Sequence, residues 1–166
     1  MHRNIANIIS PTDINTSAVI EYAVAHLKVK HVVLCGHSAC GGAAASLGDT
    51  RVGGVLDTWL TPLKAVRAAN QDTLKAISDS TARIVRIAEL NVEAGVKVLM
   101  ANWTIQDAIK ERGLEVHGVF YDLATGRIKD LGFGTKPGGS GAAGEEVRGR
   151  HAQLVFRGSN ASMAVK

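Results

Sequence analysis

The sequence predicts an α/β protein in which helices flank a parallel β-sheet core that ends in an antiparallel C-terminal hairpin. Residues 31–35 form a short apolar, β-branched run that stops at Gly36, as a buried strand of a parallel sheet does. Residues 80–102 repeat apolar side chains at helical spacing, and residues 114–131 alternate like two strands joined by a turn. The 166 residues, 46% of them hydrophobic, suit a single aliphatic core.

The chain is expected to begin with a turn and a helix. Residues 10–13 read Ser-Pro-Thr-Asp, which is typical of turns. A helix capped by one of those side chains is predicted to start at residue 15 or 16. Four apolar residues recur at helical spacing and are predicted to form its buried face: Ile20, Ala23, Val24 and Leu27.

Two further helices are predicted after the strand at residues 31–35. The first covers residues 55–70, where Pro62 would remove a backbone hydrogen bond and kink the helix. The second covers residues 80–102, where Gly95 should cost about 1 kcal/mol relative to alanine without ending the helix. The stripe that would face the core in this helix consists of Ile84, Ile87, Ala88, Val92, Val96, Leu99 and Met100.

The last predicted helix opens at Thr104, where the residues resemble a capping box with Asp107 in the acidic position, and it stops at Gly113. A strand over residues 114–121, a turn and an antiparallel strand over residues 127–131 complete the hairpin. The domain is therefore predicted to occupy residues 1–132. The Gly-rich segment 133–166 is expected to be a disordered tail with no assigned function.

Charge and composition exclude several classes of protein. Of the net charge of +4, +3 falls on residues 133–166, so the predicted domain is nearly neutral and lacks a nucleic-acid footprint. There is no signal-peptide pattern and no apolar run of about 18 residues, so no membrane span is expected. The two cysteines lie too close in sequence for a disulfide framework, which favours a reducing, cytoplasmic location.

The chemically informative stretch follows the strand at residues 31–35, where His37 and Cys40 stand three residues apart between a strand and an Ala-rich segment. An imidazole and a thiolate presented by one turn are a ligand pair that zinc favours. A buried thiol beside a turn histidine is the alternative. Strand alternation places Cys35 on the same side as His37, so it is either a substitute third ligand or, as we favour, a buried core residue.

Four other histidines are expected to have no role in chemistry. His117 lies within the strand over residues 114–121, and its imidazole is predicted to be structural and bonded to a neighbour. Three others are interpreted as surface residues: His26, His31 and His151.

Several segments in order resemble the β-class carbonic anhydrases. The run Cys35-Gly36-His37-Ser38-Ala39-Cys40-Gly41-Gly42 is similar to the second zinc motif of that family. The resemblance covers roughly residues 1–132, and the other matching segments are residues 2–7, 10–13, 59–63, 89–92, 114–118 and 121–122. It implies the fold of that family and Zn²⁺ as the cofactor, with His37 and Cys40 as metal ligands.

One departure from the family pattern changes what the resemblance implies. The family's first zinc ligand is the Cys of a Cys-x-Asp-x-Arg motif, on a central strand upstream of the segment that matches residues 2–7. This motif has no counterpart in the sequence, so we expect an N-terminally truncated domain with that strand missing. The resemblance implies that residues 1–9 begin with the tail end of a neighbouring strand. Two of the three family ligands are present, and no catalytic residue is assigned because the Asp–Arg dyad is absent.

The resemblance implies reversible hydration of carbon dioxide to bicarbonate by zinc-bound hydroxide. It also implies a homo-oligomer, or a mixed oligomer with a full-length paralogue. Two alternatives stay open because of the missing motif. The chain is either a catalytically inactive relative that acts as partner subunit of a complete paralogue, or an unstable product of a gene fragment.

Overall fold

The computed structural model describes residues 1–135 and, further along the chain, four two-residue strands. A 3₁₀ turn, Ile5–Asn7, precedes the first helix, and a π-helical turn, Tyr22–His26, follows it. The α-helices are α1 (Ile14–Glu21), α2 (Gly41–Leu47), α3 (Val55–Trp59), α4 (Thr61–Ala69), α5 (Gln71–Lys75), α6 (Ser80–Ala101) and α7 (Trp103–Arg112). The strands are β1 (His31–His37), β2 (Glu115–Asp122), β3 (Arg127–Gly134), β4 (Ala152–Gln153), β5 (Phe156–Arg157), β6 (Asn160–Ala161) and β7 (Ala164–Val165).

The main sheet has the order β1-β2-β3, and its topology confirms the predicted α/β class. Strands β1 and β2 are parallel, in a register that runs from His31 opposite Glu115 to His37 opposite Tyr121. Strand β3 is antiparallel to β2, as the predicted hairpin requires. It continues past the predicted end at residue 131 to Gly134, and the register shifts between Gly118 and Val119, as at a β-bulge.

Helix α6 packs on the sheet and contributes residues to both clusters of the hydrophobic core. The predicted stripe is confirmed, since Ile87 and Val92 are fully buried and the other members are buried or partly buried. Gly95 does not interrupt the helix, as the sequence predicts. A Cβ at this position would lie 2.5 Å from Leu34 Cδ2. The missing side chain therefore lets α6 approach β1 closely.

The N-terminal turn is held against α6 by a buried side chain. The Asn91 amide is 7% exposed and donates from Nδ2 to the Ala6 carbonyl over 2.7 Å. Ala6 has a φ of 59°, in the left-handed region that alanine rarely adopts. The Asn91 hydrogen bond therefore stabilises an otherwise unfavourable turn.

Replacing Asn91 with leucine is expected to lower the free energy of unfolding by about 1–3 kcal/mol, because the Ala6 carbonyl loses its buried donor. Urea unfolding followed by circular dichroism measures the change. Lys97→Leu on an exposed part of the same helix is the control, with an expected change within about 0.5 kcal/mol. Equal effects of the two variants would show that the hydrogen bond contributes nothing.

Two predicted helices differ from those observed. The single helix expected over residues 55–70 is divided into α3 and α4, with Pro62 in the first turn of α4, where its missing N–H is tolerated. The predicted buried face of the first helix holds for Val24, but Leu27 is 59% exposed. The π-helical turn at Tyr22–His26 adds a wider turn before Leu27 and rotates it off that face.

The N-terminal residues and the outer edge of β1 test the prediction of a strand end at the start of the chain. Residues 1–4 form no strand, contrary to the expected strand end, since no neighbouring strand within residues 1–135 pairs with them. Among those residues, β1 has β2 as its one strand partner.

The predicted tail over residues 133–166 lies largely outside the described residues and stays a prediction; there β4 pairs with β7 and β5 with β6. In the described part, no helix is both long and apolar enough to cross a bilayer.

Candidate metal centre

The predicted ligands His37 and Cys40 lie on the tight turn between β1 and α2. His37 is the last residue of β1, and Cys40 immediately precedes the first residue of α2. Ala39, between them, has a φ of 54°. A left-handed alanine is uncommon, and such residues cluster at functional sites, where the surrounding contacts keep them in place.

The imidazole of His37 is oriented by the backbone of the next residue. Its Nδ1 lies 2.8 Å from the Ser38 carbonyl oxygen. A carbonyl oxygen can only accept, so Nδ1 carries the proton and donates it. The lone pair of the neutral ring is then on Nε2, which is the arrangement found for metal-binding histidines whose other nitrogen is hydrogen-bonded.

Cys40 carries a free thiol that is 5% exposed and belongs to a core cluster that includes Ala6, Ala43 and Leu60. A neutral thiol is compatible with such surroundings. A thiolate there would be costly without a cation beside it, since burying an unpaired charge is strongly unfavourable. The surroundings of Cys40 therefore suit either a structural thiol or a thiolate bound to a metal.

The turn is fastened to the β2–β3 connection through Ser38. The backbone N–H of Ser38 donates to the Tyr121 carbonyl over 2.9 Å. The Ser38 hydroxyl donates to Asp122 Oδ1 over 2.9 Å and accepts from the Leu123 N–H over 2.8 Å. These bonds restrict the movement of the segment that carries His37. The role of Asp122 could not be inferred from the sequence, because it lies 84 residues from Ser38.

The Asp122 carboxylate is stabilised in its charged form. The hydroxyl of Thr125, then that of Ser38, and the backbone N–H of Ala124 donate to it and lower its pKa below the usual value. A carboxyl whose pKa is lower in the folded state contributes stability at pH values above its unfolded pKa, about 3.9. That contribution is lost as the pH falls through the folded pKa.

Asp122→Asn is therefore expected to lower the Tm at pH 7, and the difference from the original chain should shrink as the pH falls below about 4. Thermal unfolding between pH 7 and pH 2 measures both curves. Asp107→Asn, at an exposed site on α7, is the matched control for the loss of one carboxylate. A pH-independent difference for Asp122→Asn would contradict the proposed role of the carboxylate.

The donor types at the turn fit zinc, and the described residues provide two of them. No third His, Cys, Asp or Glu within residues 1–135 forms a three-member cluster with His37 and Cys40. Cys35 is exposed rather than buried, contrary to the favoured interpretation, and its Sγ donates to the Gly36 carbonyl. The neighbours Leu34 and Gly36 face α6, so alternation directs Cys35 to the opposite face of the sheet.

The structure also brings together three residues that the sequence analysis did not connect. His31, Glu115 and His117 form a cluster of possible metal ligands at the other end of β1. The prediction that His117 bonds to a neighbour is confirmed by its contact with His31. The surface assignment of His31 is wrong, since its side chain is 17% exposed. The sequence signal that could have indicated this cluster is the Glu-x-His spacing in β2, which puts both side chains on one face of the strand.

The comparisons with known proteins agree with this architecture. The family model described as carbonic anhydrase matches residues 1–128. Carbonic anhydrases of Candida albicans and Emericella nidulans are 42% and 41% identical over 132 residues, which is 79% of this chain. Those residues are 47% and 58% of the relatives, so the chain spans about half the length of the curated relatives it matches.

Solved structures give the same result. A structure from a study of two tetrameric β-carbonic anhydrases of Sordaria macrospora has a TM-score of 0.80 and 73% identity, covering 81% of this chain and 68% of that one. The β-carbonic anhydrase CafA of Aspergillus fumigatus has a TM-score of 0.76 and 48% identity, covering 78% and 62% respectively. The chain therefore belongs to the β-class carbonic anhydrase family.

Proposed function

We propose that this chain contributes His37 and Cys40 to a zinc site that supports the reversible hydration of carbon dioxide to bicarbonate. The observation that carries the proposal is the hydrogen bond from His37 Nδ1 to the Ser38 carbonyl, which leaves Nε2 as the lone-pair nitrogen. The same turn carries the Cys40 thiol three residues further on, in a chain of the carbonic anhydrase family.

The proposed roles of the chain's own residues follow from these contacts. His37 would bind through Nε2, and Cys40 would bind as a thiolate whose charge the cation compensates. Ser38 and Asp122 would act as positioning residues, because they tie the turn to the β2–β3 connection. When bound, zinc supplies Lewis acidity that makes water a usable nucleophile near neutral pH.

A catalytic zinc site takes three protein ligands and keeps one position open. Residues 1–135 bring two ligands to the turn, so the working site is proposed to include a third donor from outside them. Oligomerisation offers one source, and the related Sordaria proteins are tetrameric. We accordingly propose a homo-oligomer or a mixed oligomer with a full-length paralogue. The free thiols Cys35 and Cys40 suit the proposed cytoplasmic location.

The second candidate function is a non-catalytic partner subunit. Two observations favour it. The described residues bring only two proposed ligands to the turn, and the outer edge of β1 has no strand partner within residues 1–135. Unpaired strand edges readily accept another chain. A complete paralogue that supplies a strand there would form such a mixed assembly.

Stopped-flow measurement of carbon dioxide hydration by the purified chain tests the proposal, with zinc per chain measured on the same sample. We expect turnover that is lost on chelation, is restored by Zn²⁺ and is absent in His37→Ala. A folded chain without metal-dependent turnover would exclude the enzyme. If activity then appeared only on mixing with a complete paralogue, the partner function would be supported. A chain that did not fold would support the gene-fragment alternative.

A further inference from the structure

A second group of metal-binding side chains lies at the opposite end of β1 from His37. His31 is the first residue of β1 and His37 the last, so the two positions are separated by about 20 Å of extended strand. His31 faces Glu115 and His117 of β2, and the three residues form a cluster of possible metal ligands. The proposed function at the β1–α2 turn uses none of them.

The parallel pairing of β1 and β2 determines where these side chains stand. His31 is in register with Glu115, and Val33 is in register with His117. Glu115 and His117 are two residues apart, so they project from the same face of β2. The Glu115 N–H also donates to the Lys30 carbonyl over 3.0 Å, which continues the pairing to the start of β1. The positions of the donors are thus set by backbone register rather than by flexible loops.

The distances among the three donor atoms match a zinc site. His31 Nδ1 lies 3.2 Å from His117 Nε2 and 3.7 Å from Glu115 Oε2, and the two β2 atoms are 3.6 Å apart. A point equidistant from atoms so separated lies about 2.0 Å from each, which is the usual Zn–N and Zn–O bond length. The side chains of His31, Glu115 and His117 are 17%, 15% and 13% exposed respectively, so the site is partly enclosed.

We propose that His31, Glu115 and His117 bind a divalent transition metal, with Zn²⁺ as the favoured ion. Two imidazoles and a carboxylate are a known zinc donor set, and imidazole nitrogens select transition metals over Mg²⁺ or Ca²⁺. On binding, the hydrogen bond between the two rings is replaced by two metal–nitrogen bonds, and any ring proton on the ligating nitrogens moves to the other ring nitrogen or to water. The ion would link β1 to β2 and so stabilise the strand that carries His37.

Cobalt titration of the full 166-residue chain carrying Cys40→Ser tests this site separately from the turn. We expect one equivalent of Co²⁺ to bind with a visible spectrum that has no thiolate charge-transfer band. Adding Glu115→Gln in this background should weaken binding by more than about 100-fold, since even partners outside the ligand shell change metal affinity by 10- to 100-fold. Glu93→Gln, a partly buried carboxylate on α6, is the matched control and should bind Co²⁺ normally.

Nitrogen NMR of the histidine rings in the unsubstituted chain gives an independent measurement that does not depend on how a variant folds. Addition of Zn²⁺ should shift the signals of His31 Nδ1 and His117 Nε2 and leave the exposed His26 unchanged. The proposal is overturned if the Cys40→Ser chain binds no Co²⁺, if Glu115→Gln binds it as tightly as the background, or if the two ring signals do not move. A loss of carbon dioxide hydration with normal metal binding at His31, Glu115 and His117 would contradict the proposed function of the β1–α2 turn and not this second site.

Discussion

Cys40→Ser is expected to lower the zinc affinity of the β1–α2 turn by more than about 100-fold. The total binding free energy of a structural zinc is about 10–16 kcal/mol and is shared among few ligands, so the loss of one thiolate removes a large part of it. A serine hydroxyl does not replace it, because it stays protonated at neutral pH and is a poor zinc ligand. Competition with a chromophoric chelator, in a Glu115→Gln background that removes the second proposed site, measures the affinity.

Cys35→Ser is the matched control for this experiment. Cys35 lies in the same strand–turn segment but is exposed, and its Sγ contacts the Gly36 carbonyl. Its removal is expected to change the zinc affinity less than twofold. A large loss for Cys35→Ser together with a small one for Cys40→Ser would identify Cys35 as the ligand and contradict the proposed role of Cys40.

Gly36→Val is expected to lower the free energy of unfolding by about 3 kcal/mol and to weaken zinc binding at the turn. A Cβ at Gly36 would lie 2.7 Å from Val92 Cγ2 and 3.5 Å from Phe120 Cδ2. Val92 is fully buried and stiff, so β1 or α6 would have to move, and such overpacking costs about 1–3 kcal/mol or more. The displacement would reach His37, the next residue. Urea unfolding and zinc competition measure the two effects.

Gly41→Val is the control for Gly36→Val: it makes the same chemical change five residues further along the chain, just after Cys40. A Cβ at Gly41 would have no atom within 4 Å. The expected change in unfolding free energy is within about 0.5 kcal/mol, as for surface substitutions. If both glycine variants lost the same stability, the close packing of β1 on α6 would not be the cause.

The sequence predicted correctly those elements for which the hydrophobic periodicity and the residues at the two ends indicate the same helix or strand. The strand at residues 31–35 lies within β1, and the stripe of α6 is buried as expected. The last helix is capped by Asn102 rather than by Thr104, and it ends at Gly113, whose φ is 69°. The division of residues 55–70 at Pro62 and the π-helical turn before Leu27 were missed, because packing as well as periodicity decides where a helix breaks.

The sequence by itself determined the family and the α/β elements, and it placed His37 and Cys40 three residues apart, so that a single turn carries both side chains. The tertiary structure alone decided that Cys35 faces away from α6 and that Asp122 fastens the turn. It also decided that His31 meets His117, which is 86 residues away in sequence. Such contacts depend on how β1 pairs with β2 and on which face of the sheet α6 covers, and both involve segments that are far apart in the sequence.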